Sequence, residues 1–298
     1  MTRQRRHAPG PAIGVAAALV VALGLLGAPA VVAGPAVVAG SAVIAGSAAP
    51  GPPRATAPRT WHLVALGDSI PYGGRFCSYC TAYPALLASA LARSSGHPVA
   101  VTNLGIPGLS TAQLASNLRL RSDVRRAVVA ADIVTITIGH NDTPWNSRHD
   151  SCDGARAWFG QYRDARWSTY SGPCLAAEAS ALRTRLGSIL ATVRALRGNR
   201  PTLIEVTTDW NQVIGQPGVT SLARGASKAV LDRFAAVTCA AAKAAGARCG
   251  DVYHAFNGSG GTLSAGTLLA ADHDHASAKG HQVIAALLAR FGYAPLVR

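Results

Sequence analysis

Four short stretches of the chain carry the groups that acyl chemistry uses. Gly67-Asp68-Ser69-Ile70 offers a hydroxyl. Asn103-Leu104-Gly105-Ile106-Pro107-Gly108 offers bare backbone amides. Gly139-His140-Asn141-Asp142 offers a carboxamide, and Asp272-His273-Asp274-His275 an acid three residues ahead of an imidazole. A serine hydroxyl is a weak nucleophile until a base takes its proton. Histidine is the usual base, and an acid orients it. The tetrahedral oxyanion that follows needs N–H donors already in place. On this reading Ser69 is the nucleophile and His275 the base, with Asp272 orienting it. The N–H groups of Ser69 and Gly108 and the Asn141 amide form the oxyanion site. Each stretch has an ordinary reading by itself: a helix cap, a glycine turn, a capped turn, a solvated loop. Their joint occurrence, each at the end of a strand, points to acyl transfer.

The elements that must position these residues follow from periodicity. Short apolar runs predict buried strands at 62–67, 99–103, 133–138, 202–208 and 249–255. The 133–138 run (IVTITI) is β-branched throughout, which suits a strand covered on both faces. Helical spacing predicts helices at 83–91, with Pro84 in the first turn, and at 111–130, broken near Ser122. Further helices are expected at 174–196, 226–245 and 277–291. Alternation of this kind implies a parallel sheet with helices on both faces. In such sheets ligands bind at the carboxyl ends of the strands, where all four stretches fall. The one long irregular stretch, 143–173, carries Trp145, Trp158, Phe159, Tyr162, Trp167 and Tyr170. Those aromatics form either a small core of their own or a substrate wall.

With its four motifs in this order across about 61–290, the chain resembles the SGNH hydrolases, also called GDSL esterases and lipases. GDSI is similar to the GDS[LI] motif and implies Ser69 as nucleophile. NLGIPGLS resembles the second motif and implies Gly108 as an oxyanion donor. GHND resembles GxND and implies Asn141 as the side-chain donor, with His140 at the variable position. DHDHASAKGH resembles DxxHPNxxGH and implies Asp272 and His275, with Ala276 and Ser277 where the pattern has Pro and Asn. His273 and His281 are the remaining histidines of that stretch. The resemblance implies a three-layer α/β/α flavodoxin-like fold with about five parallel strands. GxSxG, the α/β-hydrolase signature, is absent. Trp210-Asn211 looks like a motif of exported bacterial members and is expected at the pocket edge. The resemblance implies an ester of a small molecule, a lipid or a polysaccharide as substrate, with no metal and no cofactor. Lipase or phospholipase action on lipid esters remains open, as does a non-catalytic cell-envelope binding module.

The rest of the sequence bounds the setting. The chain has 298 residues, 49% hydrophobic and 14% charged, which excludes a disordered polyelectrolyte. Residues 1–30 read as a signal peptide: arginines at 3, 5 and 6, an uncharged apolar run from Ile13 to Leu26, and Ala28-Pro29-Ala30 for cleavage. Cleavage as late as about Ala49, or an uncleaved N-terminal anchor, are the rivals. Residues 31–60 read as an Ala/Pro-rich linker, and 61–298 as the hydrolase domain. Five arginines and no acidic residue precede position 61, so +9 of the net +14 stays with the domain. That surface suits an anionic cell envelope, or it follows from an arginine-rich composition. No basic cluster interleaved with aromatics suggests nucleic acid, and a monomer is expected. Six cysteines in an exported chain favour disulfides. The shortest loops pair Cys77 with Cys80, Cys152 with Cys174 and Cys239 with Cys249. A redox or zinc pair is the alternative for Cys77 and Cys80, although no second CxxC completes a zinc site.

Overall fold

Five strands line up in parallel in the order β2-β1-β3-β4-β5. They are β1 (Trp61–Gly67), β2 (Val99–Gly105), β3 (Ile133–Thr137), β4 (Leu203–Thr207) and β5 (Arg248–Gly250). The computed structural model describes residues 57–77, 79–147, 150–152 and 166–297. The expected signal peptide, most of the linker, and Trp158, Phe159 and Tyr162 lie outside them.

Alternate side chains of the central strands feed two cores, as the pleat requires. Val64, Leu66, Val134, Ile136, Ile204 and Val206 point to one face. There they meet α3 (Thr111–Leu120), α4 (Ser122–Ala130), α5 (Gly172–Arg197) and α6 (Ser221–Ala244). Leu63, Ala65, Ile133 and Leu203 point the other way. That face is covered by α2 (Tyr83–Ser95), α7 (Val252–Asn257) and α8 (Ala278–Ala289). The result is the three-layer α/β/α arrangement with the flavodoxin-like strand order.

The order places the site. From β1 the chain crosses outward to β2 through α2, then returns past β1 to β3 through α3 and α4. The crossovers diverge between β1 and β3, and that is where an open parallel sheet forms a crevice at its carboxyl edge. Ser69 follows β1 and the 140–142 turn follows β3, so both border this crevice.

One expectation changes here. The run from 249 to 255 is not one strand. β5 stops at Gly250, because Asp251 turns its carboxylate onto the His254 N–H and caps α7. The short edge strand leaves Val252 and Phe256 to pack as helix in the α2/α8 core. The 111–130 helix is indeed broken, at Arg121, between α3 and α4. In the 143–173 stretch, Trp145, Trp167 and Tyr170 pack on one another with centroids 5.5–6.2 Å apart and join the main core. These three are thus part of the main core, neither a separate small core nor a substrate wall. The structure joins Cys77 to Cys80, Cys152 to Cys174 and Cys239 to Cys249, with Cα–Cα separations of 5.5, 5.1 and 5.1 Å.

Glu205, in the middle of β4, is fully buried, and neither carboxyl oxygen has a hydrogen-bond partner among the described residues. Burial pushes its pKa up to about 8 against the charge of Arg248. A raised folded-state value means that the folded protein holds this proton more tightly than the unfolded chain. Its contribution is complete below the unfolded value, near pH 4.5, and is lost as pH climbs to about 8. The loss is on the order of 4 kcal/mol. Glu205→Gln removes the ionisation. The variant should match the wild type in thermal unfolding near pH 4 and exceed it at pH 8. Equal melting temperatures at pH 8 would show that the carboxyl is not held neutral.

Candidate active site

The first strand ends in a glycine for a steric reason. Gly67 has φ +140°, and a Cβ there would lie 1.8 Å from the Thr137 carbonyl oxygen. Only glycine lets β1 press against β3 while the chain turns into α1 (Ser69–Tyr72). Asp68 caps that turn by accepting the Ile70 N–H at 2.9 Å. Gly105 makes the complementary approach: a Cβ there would meet the Tyr72 nitrogen at 2.5 Å. Ser69 is thus held at the start of a helical turn at the carboxyl edge of the central strand.

The loop before α8 arrives opposite. His275 Nε2 lies 2.9 Å from Ser69 Oγ, and His275 Nδ1 lies 2.7 Å from Asp272 Oδ2. The tautomer follows from these partners: the proton sits on Nδ1, facing the carboxylate, and Nε2 accepts from the hydroxyl. Asp272 Oδ1 takes the backbone N–H groups of Asp274 and His275 at 3.1 and 3.0 Å. Partial burial pushes the Asp272 carboxyl up. The His275 bond and the two backbone N–H groups outweigh it and hold the pKa at about 2. Asp272 is therefore ionised at any working pH. The Phe76 ring stacks on the imidazole at 3.9 Å and 13°. Ala276 and Ser277 fit the loop: Ala276 is buried and bridges to Leu269, and Ser277 Oγ caps α8 through the Gly280 N–H at 3.1 Å.

The second and third motifs are tied to each other. Gly108 has φ +76° and an exposed backbone with nothing near its Cβ direction. Asn141 Nδ2 donates to the Leu109 carbonyl at 3.1 Å, which leaves its second amide hydrogen uncommitted by that bond. Asp142 receives both the N–H and the hydroxyl of Thr111, at 2.9 and 2.5 Å, and Arg185 at 3.3 Å. One turn thus fixes the 108–111 loop at three points.

The other histidines of the last motif are elsewhere. His273 is exposed in a left-handed conformation (φ +57°). His281 is buried against α2, where Nδ1 accepts the Tyr83 N–H at 3.3 Å. Burial, with the nearby His275, lowers its pKa to about 4. It faces the start of a helix, not Ser69. His281 also lies beside Cys77 and Cys80, but the disulfide consumes both thiolates that a zinc ion would need. Trp210 is not at the pocket edge. It is fully buried, stacks on Phe256 at 4.7 Å and donates to the Asp274 carbonyl at 3.0 Å. Asn211 is buried too, bonded to Ser227 and Asn257.

Two groups at this edge escaped the sequence reading. Asp68 is fully buried, with Oδ2 unpartnered among the described residues. Burial lifts its carboxyl to about 7, although the His140 charge and the Ile70 N–H pull it down. His140 is buried as well, with Asp209 and Asp274 at its two ring nitrogens. The available signal was positional: His140, Asp209 and Asp274 all fall just past strand ends or in the loop before α8.

A parallel α/β sheet with these four motifs at its carboxyl edge defines an ester-hydrolysing enzyme. The chain belongs to the GDSL-like lipase/acylhydrolase family, whose model matches residues 65–283. Solved structures share the fold. The lipase Lip_vut3 from a goat rumen metagenome is 18% identical, with a TM-score of 0.61, over 80% of this chain and 100% of its own. Axe2, an acetylxylan esterase from Geobacillus stearothermophilus, is 22% identical, with a TM-score of 0.52, over 80% and 96%. No curated protein sequence matches the chain.

Proposed function

We propose that the protein is a secreted serine esterase that cleaves carboxylic esters through Ser69, His275 and Asp272. The observation that carries this reading is the unbroken chain of hydrogen bonds from Asp272 through His275 to Ser69 Oγ, at 2.7 and 2.9 Å. His275 Nε2 takes the hydroxyl proton as Ser69 Oγ bonds to the ester carbonyl carbon. The carbonyl oxygen becomes an oxyanion, held by the N–H groups of Ser69 and Gly108 and the Asn141 amide. The carbon–alkoxy bond then breaks, and the imidazolium returns its proton to the leaving alcohol. Water, deprotonated by the same imidazole, attacks the acyl-serine and releases the acid. Asp272, ionised and fixed by two backbone N–H groups, stabilises the imidazolium in both halves. No step calls for a metal.

Esters of polar alcohols, acetylated polysaccharide among them, are the proposed substrates. The reading includes export, with residues 1–30 removed and 31–60 as a tether to the 61–298 domain. Monomeric protein recovered from the medium is the material for the test, which measures hydrolysis of p-nitrophenyl esters from C2 to C16. Turnover greatest at C2 is expected. A preference for long chains that rises with micelles would convert the reading to a lipase. Binding to an anionic polysaccharide without turnover of any ester would convert it to a binding module.

A further inference from the structure

His140 occupies the variable place of its motif and takes no part in the steps above, yet its surroundings are unusual. It is 5% exposed and sits at the end of β3. Its Nδ1 lies 2.8 Å from Asp209 Oδ2, and its Nε2 lies 3.1 Å from Asp274 Oδ1. A neutral imidazole has one N–H and one lone pair. Either neutral tautomer would turn that lone pair onto a carboxylate oxygen inside the protein, where mismatched polar groups are costly. Both contacts are satisfied only when both nitrogens carry protons. Asp274 immediately precedes His275, and its other oxygen, Oδ2, lies 3.7 Å from His275 Nδ1. One carboxylate therefore lies between His140 and the histidine that meets Ser69.

We propose that His140 is a positioning residue, an imidazolium clamped between Asp209 and Asp274 that holds the 272–275 loop in register with Ser69 and offsets the Asp274 charge beside His275. This rests on the reading of Ser69 and His275 as nucleophile and base. Two side chains from beyond β4 also hold the loop: Trp210 Nε1 donates to the Asp274 carbonyl at 3.0 Å, and Gln216 Nε2 to the His273 carbonyl at 2.8 Å. The groups around His140 are mostly acidic. Asp209 reaches it from beyond β4 and Asp274 from the loop before α8. Asp68 shares the same small void, with Thr137, Thr207 and Thr208, and Asp142 follows on its own turn. The Trp210 ring covers it at 6.3 Å. Burial works against the His140 charge, but the charges and hydrogen bonds of Asp209 and Asp274 overcome it and raise its pKa well above the ordinary value. Asp274 is correspondingly lowered despite its own burial. Without the cation, the uncompensated Asp274 charge competes with Asp272 for the His275 Nδ1 proton. The ring then loses its alignment, and its charged form gains stability.

The test compares His140→Gln and Asp209→Asn with the wild type on a short-chain ester. His140→Gln should lower kcat about 10- to 100-fold with KM within about twofold, as a small misplacement of a reacting group does. It removes a positive charge near His275, so the acid limb of the kcat/KM profile should move up by roughly half a unit or more. Asp209→Asn keeps an acceptor oxygen at Nδ1, and Asp274 stays at Nε2, so both nitrogens still call for protons while a negative charge is lost, and the limb should move down. Opposite shifts from two neighbouring substitutions are not the mark of general structural damage. Limbs that stay in place, or move together, overturn the proposal. Nitrogen-15 spectra of wild-type imidazoles separate the two readings. Two protonated His140 nitrogens at pH 7 are expected even if no ester is turned over, in which case the reading of Ser69 fails and the clamp stands. A neutral His140 overturns the clamp whatever the activity, and decides it also if His140→Gln does not fold.

Discussion

Ser69→Ala should reduce kcat for ester hydrolysis by about a million-fold and leave KM nearly unchanged. That is the scale on which serine hydrolases lose turnover when the nucleophile is removed. Ser69 Oγ stands at the start of α1 and, among the described residues, is the hydroxyl that meets His275 Nε2, at 2.9 Å. His275→Ala should cost about as much, and the double variant no more than either single one, because the pair acts as one unit. Stopped-flow release of p-nitrophenol gives a direct reading. The wild type should show a burst as the acyl-serine accumulates, and Ser69→Ala should show none. Residual activity above about one per cent of wild type in Ser69→Ala would mean that another group attacks the ester. The side chain is buried and small, so the substitution itself should leave the melting temperature close to that of the wild type.

Asn141→Ala should lower kcat by about 100- to 1000-fold, equivalent to roughly 2.7–4 kcal/mol of barrier. The reason is the place of the amide. It stands at the turn after β3, its Nδ2 already fixed by the Leu109 carbonyl at 3.1 Å, so the remaining N–H is oriented before substrate arrives. A donor fixed in advance pays no reorganisation when charge develops on the carbonyl oxygen. The same bond makes Asn141 part of the tie between the third motif and the 108–111 loop. Some stability should therefore be lost, on the order of 1 kcal/mol for a single hydrogen bond. Kinetics and unfolding distinguish the two effects. A large fall in kcat with a small fall in melting temperature assigns the amide to the transition state. An unchanged kcat removes it from the oxyanion site and leaves only the tie.

Much of the fold was legible in local pattern. The β-branched 133–138 run became β3, buried on both faces, because only a strand flanked by two layers of helices keeps every side chain of such a run dry. Helices at 83–91 and 277–291 were placed within a few residues. The start of α6 was not, since its first turn at Ser221 is set by the Thr220 cap on the Ala223 N–H rather than by apolar spacing. The end of β5 was missed for a similar reason: Asp251 caps a helix, and apolar residues of a short helix look like those of a strand.

What the sequence determined by itself was chemistry of short range. The three-residue spacing from Asp272 to His275 lets one carboxylate bind both the ring and the backbone of the same loop. The glycine at 67 lets a strand end against its neighbour and turn at once into Ser69. Tertiary structure alone decided the strand order, and with it which strand ends face one crevice. It also decided that Trp210 is buried, that burial raises the carboxyls of Glu205 and Asp68, and that His140 lies between Asp209 and Asp274. These depend on desolvation and on charges brought together from distant parts of the chain, which no local spacing records. A histidine in a variable motif position reads the same whether it faces water or two carboxylates, and only the packing of β3, β4 and the 272–275 loop separates the two.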